Sequence, residues 1–171
     1  MKLKKLIIRH TALFFLTLAI IIVVAREGRA TFNITANNSL NFDSNMEPGS
    51  THYLNESVGI KSDQSAVYYF KISVIHPMTN GVNQSYTIPN SNLLWEVNSL
   101  SGEHGTLNHA MAVYQAFISA PPENPDLVYT SDPADINNSV NVGFIYKLIV
   151  PLGQLAGTYT TTITYLLTES L

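Results

Sequence analysis

Three stretches of the chain alternate apolar and polar side chains position by position, a period that a strand satisfies and a helix cannot. In residues 140–150 the even positions are Val140, Val142, Phe144, Tyr146, Leu148 and Val150, with Asn141, Gly143 and Lys147 between them. In residues 158–168 Tyr159, Thr161, Ile163, Tyr165 and Leu167 share one parity, and Thr158, Thr160, Thr162 and Thr164 hold the other. In residues 68–74 Tyr68, Phe70, Ile72 and Val74 alternate with Tyr69, Lys71 and Ser73. Successive strand side chains point to opposite faces, so each stretch predicts one buried and one wet face. Their β-branched and aromatic content favours the same state.

Shorter strands are expected at 31–35, 40–43, 52–60, 93–97, 110–119 and 127–130, the last as an edge strand. Residues 107–119 also admit a helical reading, because Ala110, Met111, Val113, Tyr114, Phe117 and Ile118 could form an amphipathic turn or two. Turn-forming clusters separate these runs, among them Glu47-Pro48-Gly49-Ser50, Thr79-Asn80-Gly81 and Pro151-Leu152-Gly153. The prolines avoid the three alternating stretches, as the loss of a ladder donor requires. Many short strands with regular turns predict an all-β fold: a single antiparallel β-sandwich over 31–171, immunoglobulin-like or pilin-like. The longest loop, 120–138, carries Pro121, Pro122, Pro125 and Pro133.

Residues 1–30 read as a signal peptide or an N-terminal membrane anchor. Lys2, Lys4, Lys5 and Arg9 precede an apolar stretch over 11–25, and such a charge order directs the following chain across a membrane. Cleavage after Ala25 fits the small-residue pattern better than cleavage after Ala30, where Arg26 and Arg29 intrude. A spanning helix needs about 20 apolar residues, so anchoring would require Leu6 to Ile8 as well. Either way the rest of the chain is expected outside the cytoplasm, whether secreted, periplasmic or held at the cell surface, and it meets a membrane only through an uncleaved segment.

After residue 30 there are three basic side chains (Lys61, Lys71, Lys147) against eleven acidic ones. Binding nucleic acid takes basic groups that displace counterions, so that class is excluded. The absence of cysteine excludes disulfides, thiolate metal sites and a cysteine nucleophile. The acids stand singly, with no nucleophile elbow and no close carboxylate pair, so a non-catalytic protein without cofactors is expected. No catalytic, cofactor-binding or metal-binding residue is assigned. His104 and His109 lie five apart, a separation that aligns them on neither a strand nor a helix, and a zinc site needs further ligands. Asp126, Asp132, Asp135 and Asn137 are the best oxygen ligands for calcium, yet Asp-Pro and Asn-Asn pairs also form ordinary turns. Trp95 shares its parity with Leu93 and Val97 and is expected in the core. Tyr69, Tyr114 and Tyr129 are the candidates for exposed rings that could stack on a sugar.

The run Phe144-Ile145-Tyr146-Lys147-Leu148-Ile149-Val150-Pro151, then Gln154-Leu155-Ala156-Gly157-Thr158-Tyr159 and a Thr-rich alternating strand, resembles the end of secreted bacterial β-sandwich proteins. It is similar to the spore coat U type domain and, more distantly, to pilus subunits assembled by chaperone and usher. Leu40-Asn41-Phe42-Asp43 followed by Pro48-Gly49 is similar to an early strand and turn of such domains. Those relatives commonly carry a disulfide, which this chain lacks. The resemblance implies a secreted bacterial surface component that assembles with like subunits or other envelope proteins, with strand exchange as one route. Phe32 and Ile34 would then be either a donor segment or the molecule's own first strand. A bacterial source also implies unmodified sequons at Asn33, Asn37, Asn55, Asn83 and Asn137. The alternative function is a monomeric carbohydrate-binding module, presenting aromatic rings and the 120–138 loop.

Overall fold

The alternating segments form strands, and every strand pairing is antiparallel. A computed structural model describes residues 31–37, 39–42, 46–117 and 125–169. Phe32–Leu171 forms one unit. The expected signal or anchor over 1–30 lies outside the described residues. In chain order the strands are β1 (Phe32–Thr35), β2 (Thr51–Ser62), β3 (Tyr69–Val74), β4 (Met78–Asn80), β5 (Thr87–Ile88), β6 (Leu93–Ser101) and β7 (Thr106–Leu107). They continue with β8 (Gln115–Ala116), β9 (Asp126–Thr130), β10 (Val140–Ile149), β11 (Tyr159–Thr160) and β12 (Ile163–Thr168). Two short 3-10 turns, Asn90–Asn92 and Pro133–Asp135, complete the set among the described residues. The fold is all-β.

One sheet has the order β1-β2-β10-β6-β8, a second β12-β3-β9-β7, and a small third β11-β4-β5. β10 is the spine of the first, paired with β2 from Val140↔Ile60 to Ile149↔Thr51. Its inward side chains Val140, Val142, Phe144, Tyr146 and Leu148 are all buried, as their parity predicts. A register shift at Gly143/Phe144 places the glycine where a Cβ would strike the Ser99 hydroxyl. Rings connect the two larger sheets: Phe144 lies 6.2 Å from Phe70 and 6.0 Å from Tyr165. The core therefore sits between those sheets.

Several expectations need correction. Residues 40–42 form no strand, because the β1–β2 ladder stops at Thr35↔Gly59. The stretch 110–119 is neither a helix nor a long strand as far as it is described. Its chain turns at Ala112 (φ 58°), whose N–H donates to the Val97 carbonyl, and only Gln115–Ala116 pair. β9 is not an edge strand, since it lies between β3 and β7. The stretch 158–168 is two strands, because the chain leaves the third sheet after Thr160 and enters the second at Ile163. Thr161 bonds the His76 carbonyl and Ile75 N–H bonds Thr162 at this crossing, which fixes the switch.

Candidate functional site

The first sheet is unevenly covered on its β2 side. β1 pairs with only the last four residues of the twelve-residue β2, from Phe32↔Ser62 to Thr35↔Gly59. Among the described residues no strand pairs the same side of residues 51–58. In the second sheet β12 pairs with β3, and among the described residues no strand pairs its other side. A groove of about 480 Å³ is lined by Leu54 of β2, Ile163 and Tyr165 of β12, and the chain around β11. Leu40, Phe42, Met46, Leu54, Ile163 and Tyr165 give it apolar walls, and Asn37, Asn41 and Thr160 stand among its polar lining.

Asn37, Ser39, Leu40, Asn41 and Phe42 line this groove, and among the described residues none of them joins a ladder. Their parity nonetheless continues that of β1: Phe32, Ile34, Ala36, Leu40 and Phe42 are half-buried against the core, while Asn33, Thr35, Asn37, Ser39 and Asn41 are exposed. Among the described residues, Asn37 makes the segment's polar contact with β2. Glu56 faces inward with Leu54 and Val58 and is only 5% exposed. A buried carboxylate is costly unless bonded. Asn37 meets that need twice, its N–H donating to Oε1 at 2.9 Å and its Nδ2 to Oε2 at 2.6 Å.

Beneath the groove the hydroxyls of Tyr146 and Tyr165 lie 2.6 Å apart. Burial raises both phenols, Tyr165 to about 12 and Tyr146 well above its ordinary value, and the Glu56 carboxylate adds to both. Across the core, burial and then Asp135 raise Tyr68 to about 12. The fold thus holds these protons more tightly than the unfolded chain does. Their stabilising contribution is complete below the ordinary value of 10 and is lost as pH rises from there through 12. The expected result is an unfolding midpoint in urea that falls steeply across this window. A Tyr165→Phe variant should fall less, and equal slopes for the two proteins would refute the assignment.

A second surface feature lies on the outer face of the first sheet. Lys147 pairs across the strands with Tyr53. Its Nζ stands 5.9 Å from the Tyr53 ring and 5.0 Å from the Tyr114 ring, and the two rings are 6.4 Å apart. Tyr53 is 58% exposed.

The residues singled out in the sequence go to different places. Trp95 is fully buried, as expected. Tyr69 and Tyr114 are half-buried, whereas Tyr129 is fully buried and cannot serve as a platform. The β3–β9 register shifts opposite Phe70/Lys71, so Val128 and Tyr129 both turn inward. His104 reaches Asp135, while His109 packs edge-on against Trp95 at 5.0 Å. Asp132 and Asp135 form the capping box of the Pro133–Asp135 turn. Asp135 accepts from His104 N–H, the His104 ring, Tyr129 Oη and Asp132 N–H, which occupies both oxygens. Asp126 lies on β9, where burial raises its carboxyl and His109 opposes the shift. Asn137 takes a left-handed conformation (φ 59°) and its N–H donates to the Ser62 carbonyl, so it serves the turn. Among the described residues no three His, Cys, Asp or Glu side chains are placed to hold a metal ion. All five sequon asparagines are exposed. The contributions of Glu56, Tyr53 and Lys147 were not singled out in the sequence, although a glutamate at an apolar parity of β2 is itself a signal.

No protein-family model matches the chain, and no curated protein matches it.

Proposed function

We propose that the chain is an exported, non-catalytic component of a cell envelope or surface, built as an antiparallel β-sandwich that associates through its strand edges. The observation that carries this reading is the short β1: two-thirds of the neighbouring edge of β2 has no ladder partner among the described residues, and Leu54 of that strand lines a groove with both apolar and polar walls. An extended segment of another chain, from a like subunit or another envelope protein, adds to such an edge by main-chain hydrogen bonds and seats alternate side chains in the groove. The leader over 1–30 supports export, by cleavage or as an anchor. The acidic, lysine-poor body supports a partner other than nucleic acid.

The test is native protein extracted from the envelope, run on a gel with and without heating. The expected outcome is a ladder of complexes that collapses on heating and disappears when residues 31–35 are deleted. A monomer under all conditions, with a folded core, would sink the reading. The Tyr53–Lys147–Tyr114 cluster favours a second reading, a monomeric module that stacks a sugar on the exposed ring. Under that reading Tyr53→Ala removes glycan retention while leaving the fold intact. Trp95 and Tyr129 are unsuitable for this test, because both are core residues.

A further inference from the structure

We propose that the two loops at one end of the third sheet touch a lipid bilayer, with Val82 and Leu152 as the side chains that enter it. The proposal rests on the export reading above, since an exported chain meets a bilayer, and it adds a second contact to the one expected of residues 1–30. β4 ends at Asn80 opposite Tyr159, where β11 begins. The loop after β4 and the loop before β11 therefore leave the small sheet at the same end. Gly81 N–H ties them together by donating to the Thr158 carbonyl at 2.9 Å.

Each loop holds an aliphatic side chain out in water. The buried Asn80 carboxamide accepts from Val82 N–H at 2.9 Å and from Asn83 N–H at 3.0 Å, and Asn80 N–H donates to the Tyr86 carbonyl. That closed turn leaves Val82 94% exposed. In the other loop Gln154 N–H donates to the Pro151 carbonyl around Gly153 (φ 78°), and Leu152 in this turn is 85% exposed. Tyr86 and Leu155 are also exposed in the same two loops. Apolar side chains presented on turns that bond their own main chain are unfavourable in water and lose little on leaving it.

Charge decides which surface fits. Residues 77–95 and 148–168 contain no Asp, Glu, Lys, Arg or His, although the chain after residue 30 carries eleven acidic and three basic side chains. The polar groups of the two loops are carboxamides and hydroxyls, those of Asn83, Gln84, Ser85, Gln154 and Thr158. Such groups, with a tyrosine among them, suit the headgroup layer, where a charge would have to shed water. A protein partner would call for a continuous apolar area, whereas these side chains stand on separate turns. The lipid is zwitterionic, because anionic lipid would repel the acidic body and Glu47, two residues from the Gly49 that Leu152 lies against.

The experiment places the full-length protein in vesicles of phosphatidylcholine with brominated acyl chains, which quench a tryptophan that reaches them. Val82→Trp, Leu152→Trp and, as a control on the outer face of the first sheet, Tyr53→Trp each add one indole at an exposed position. Wild type gives the background of the buried Trp95. The indoles at 82 and 152 should lose about half of their emission or more, since interfacial side chains enter by about 5–10 Å. The indole at 53 and Trp95 should change little. Val82→Asp in the Leu152→Trp chain should cut the quenching at 152 about twofold or more, because a carboxylate opposes immersion of that end. Added anionic phosphatidylglycerol should weaken the quenching at both positions. Unquenched indoles at 82 and 152, or equal quenching at 53, would overturn the proposal while the export reading stands on its own test. Quenching at 152 that ignores V82D overturns it too, since the added indole alone would then be binding. Emission at 82 and 152 that shifts with protein concentration and not with lipid assigns the loops to a second copy, which also overturns it.

Discussion

Asp135→Ala is expected to destabilise the protein by about 3–5 kcal/mol, because it removes a buried charge and strands its donors together. Asp135 is fully buried. Oδ1 accepts from His104 N–H at 2.8 Å and lies 3.1 Å from the His104 ring, while Oδ2 accepts from Tyr129 Oη at 2.5 Å and Asp132 N–H at 3.0 Å. The network extends one step further, since Gly105 N–H donates to Tyr129 Oη at 2.8 Å. Gly105 is needed there, as a Cβ would run into the Thr130 carbonyl. A domain of this size is stable by only about 5–15 kcal/mol, so the alanine variant should sit near the limit of folding. Asp135→Asn keeps one acceptor oxygen and turns an NH₂ toward the remaining donors, which should cost about half as much. Urea midpoints should move in that order with unchanged slope. A loss under about 1 kcal/mol for the alanine variant would show that the network is replaced by water.

Asp135 also sets part of the acid response. Burial opposes its ionisation, but the hydrogen bonds from Tyr129, Asp132 and His104 outweigh that and hold the carboxyl below its ordinary value of 3.8. A depressed carboxyl stabilises the fold above its unfolded value, and that contribution is lost as pH falls through the folded value. Wild type should thus lose stability below 3.8 more steeply than D135N, which has no proton to take up at this position.

Facing was legible in the sequence, and pairing was not. In residues 140–150 the alternation gave both the strand and its buried side, because β10 is flanked on both sides and one face meets the core. Over 158–168 the same alternation concealed a change of sheets at 161–162, since parity reports which way a side chain points and says nothing of its neighbour. β4, β5, β7 and β8 have two or three residues each, too few to express a period. Tyr129 was misjudged because a bulge breaks the parity that would have assigned it. The Asp132-Pro133-Ala134-Asp135 turn was readable from its residue types. Its convergence with Tyr129 and His104 depends on three separate elements. Glu56 was visible as a charge in an apolar register, but its partner lies 19 residues upstream and the spacing gives no hint of it.

Phe144→Ala is expected to cost about 3–5 kcal/mol, toward the upper end of that range. The ring is fully buried and touches four others: Tyr146 at 5.9 Å, Trp95 and Tyr165 at 6.0 Å, and Phe70 at 6.2 Å. Flat rings on rigid strands cannot collapse into the space it leaves, so the cavity term is retained in full. Phe144→Leu keeps most of the volume and should cost under about 2 kcal/mol. By contrast, Phe32→Ala removes a half-buried ring at the end of β1 and should cost about 1–2 kcal/mol. The comparison separates stability from assembly. Phe144 supports Tyr146 and Tyr165 under the groove, so its loss should weaken association in proportion to the loss of fold. Asn37→Asp sets a carboxylate against the buried Glu56 and should lower the urea midpoint while leaving the aromatic cluster untouched. If association followed the midpoint alone across all three variants, the groove would be a passive consequence of folding and would carry no recognition of its own.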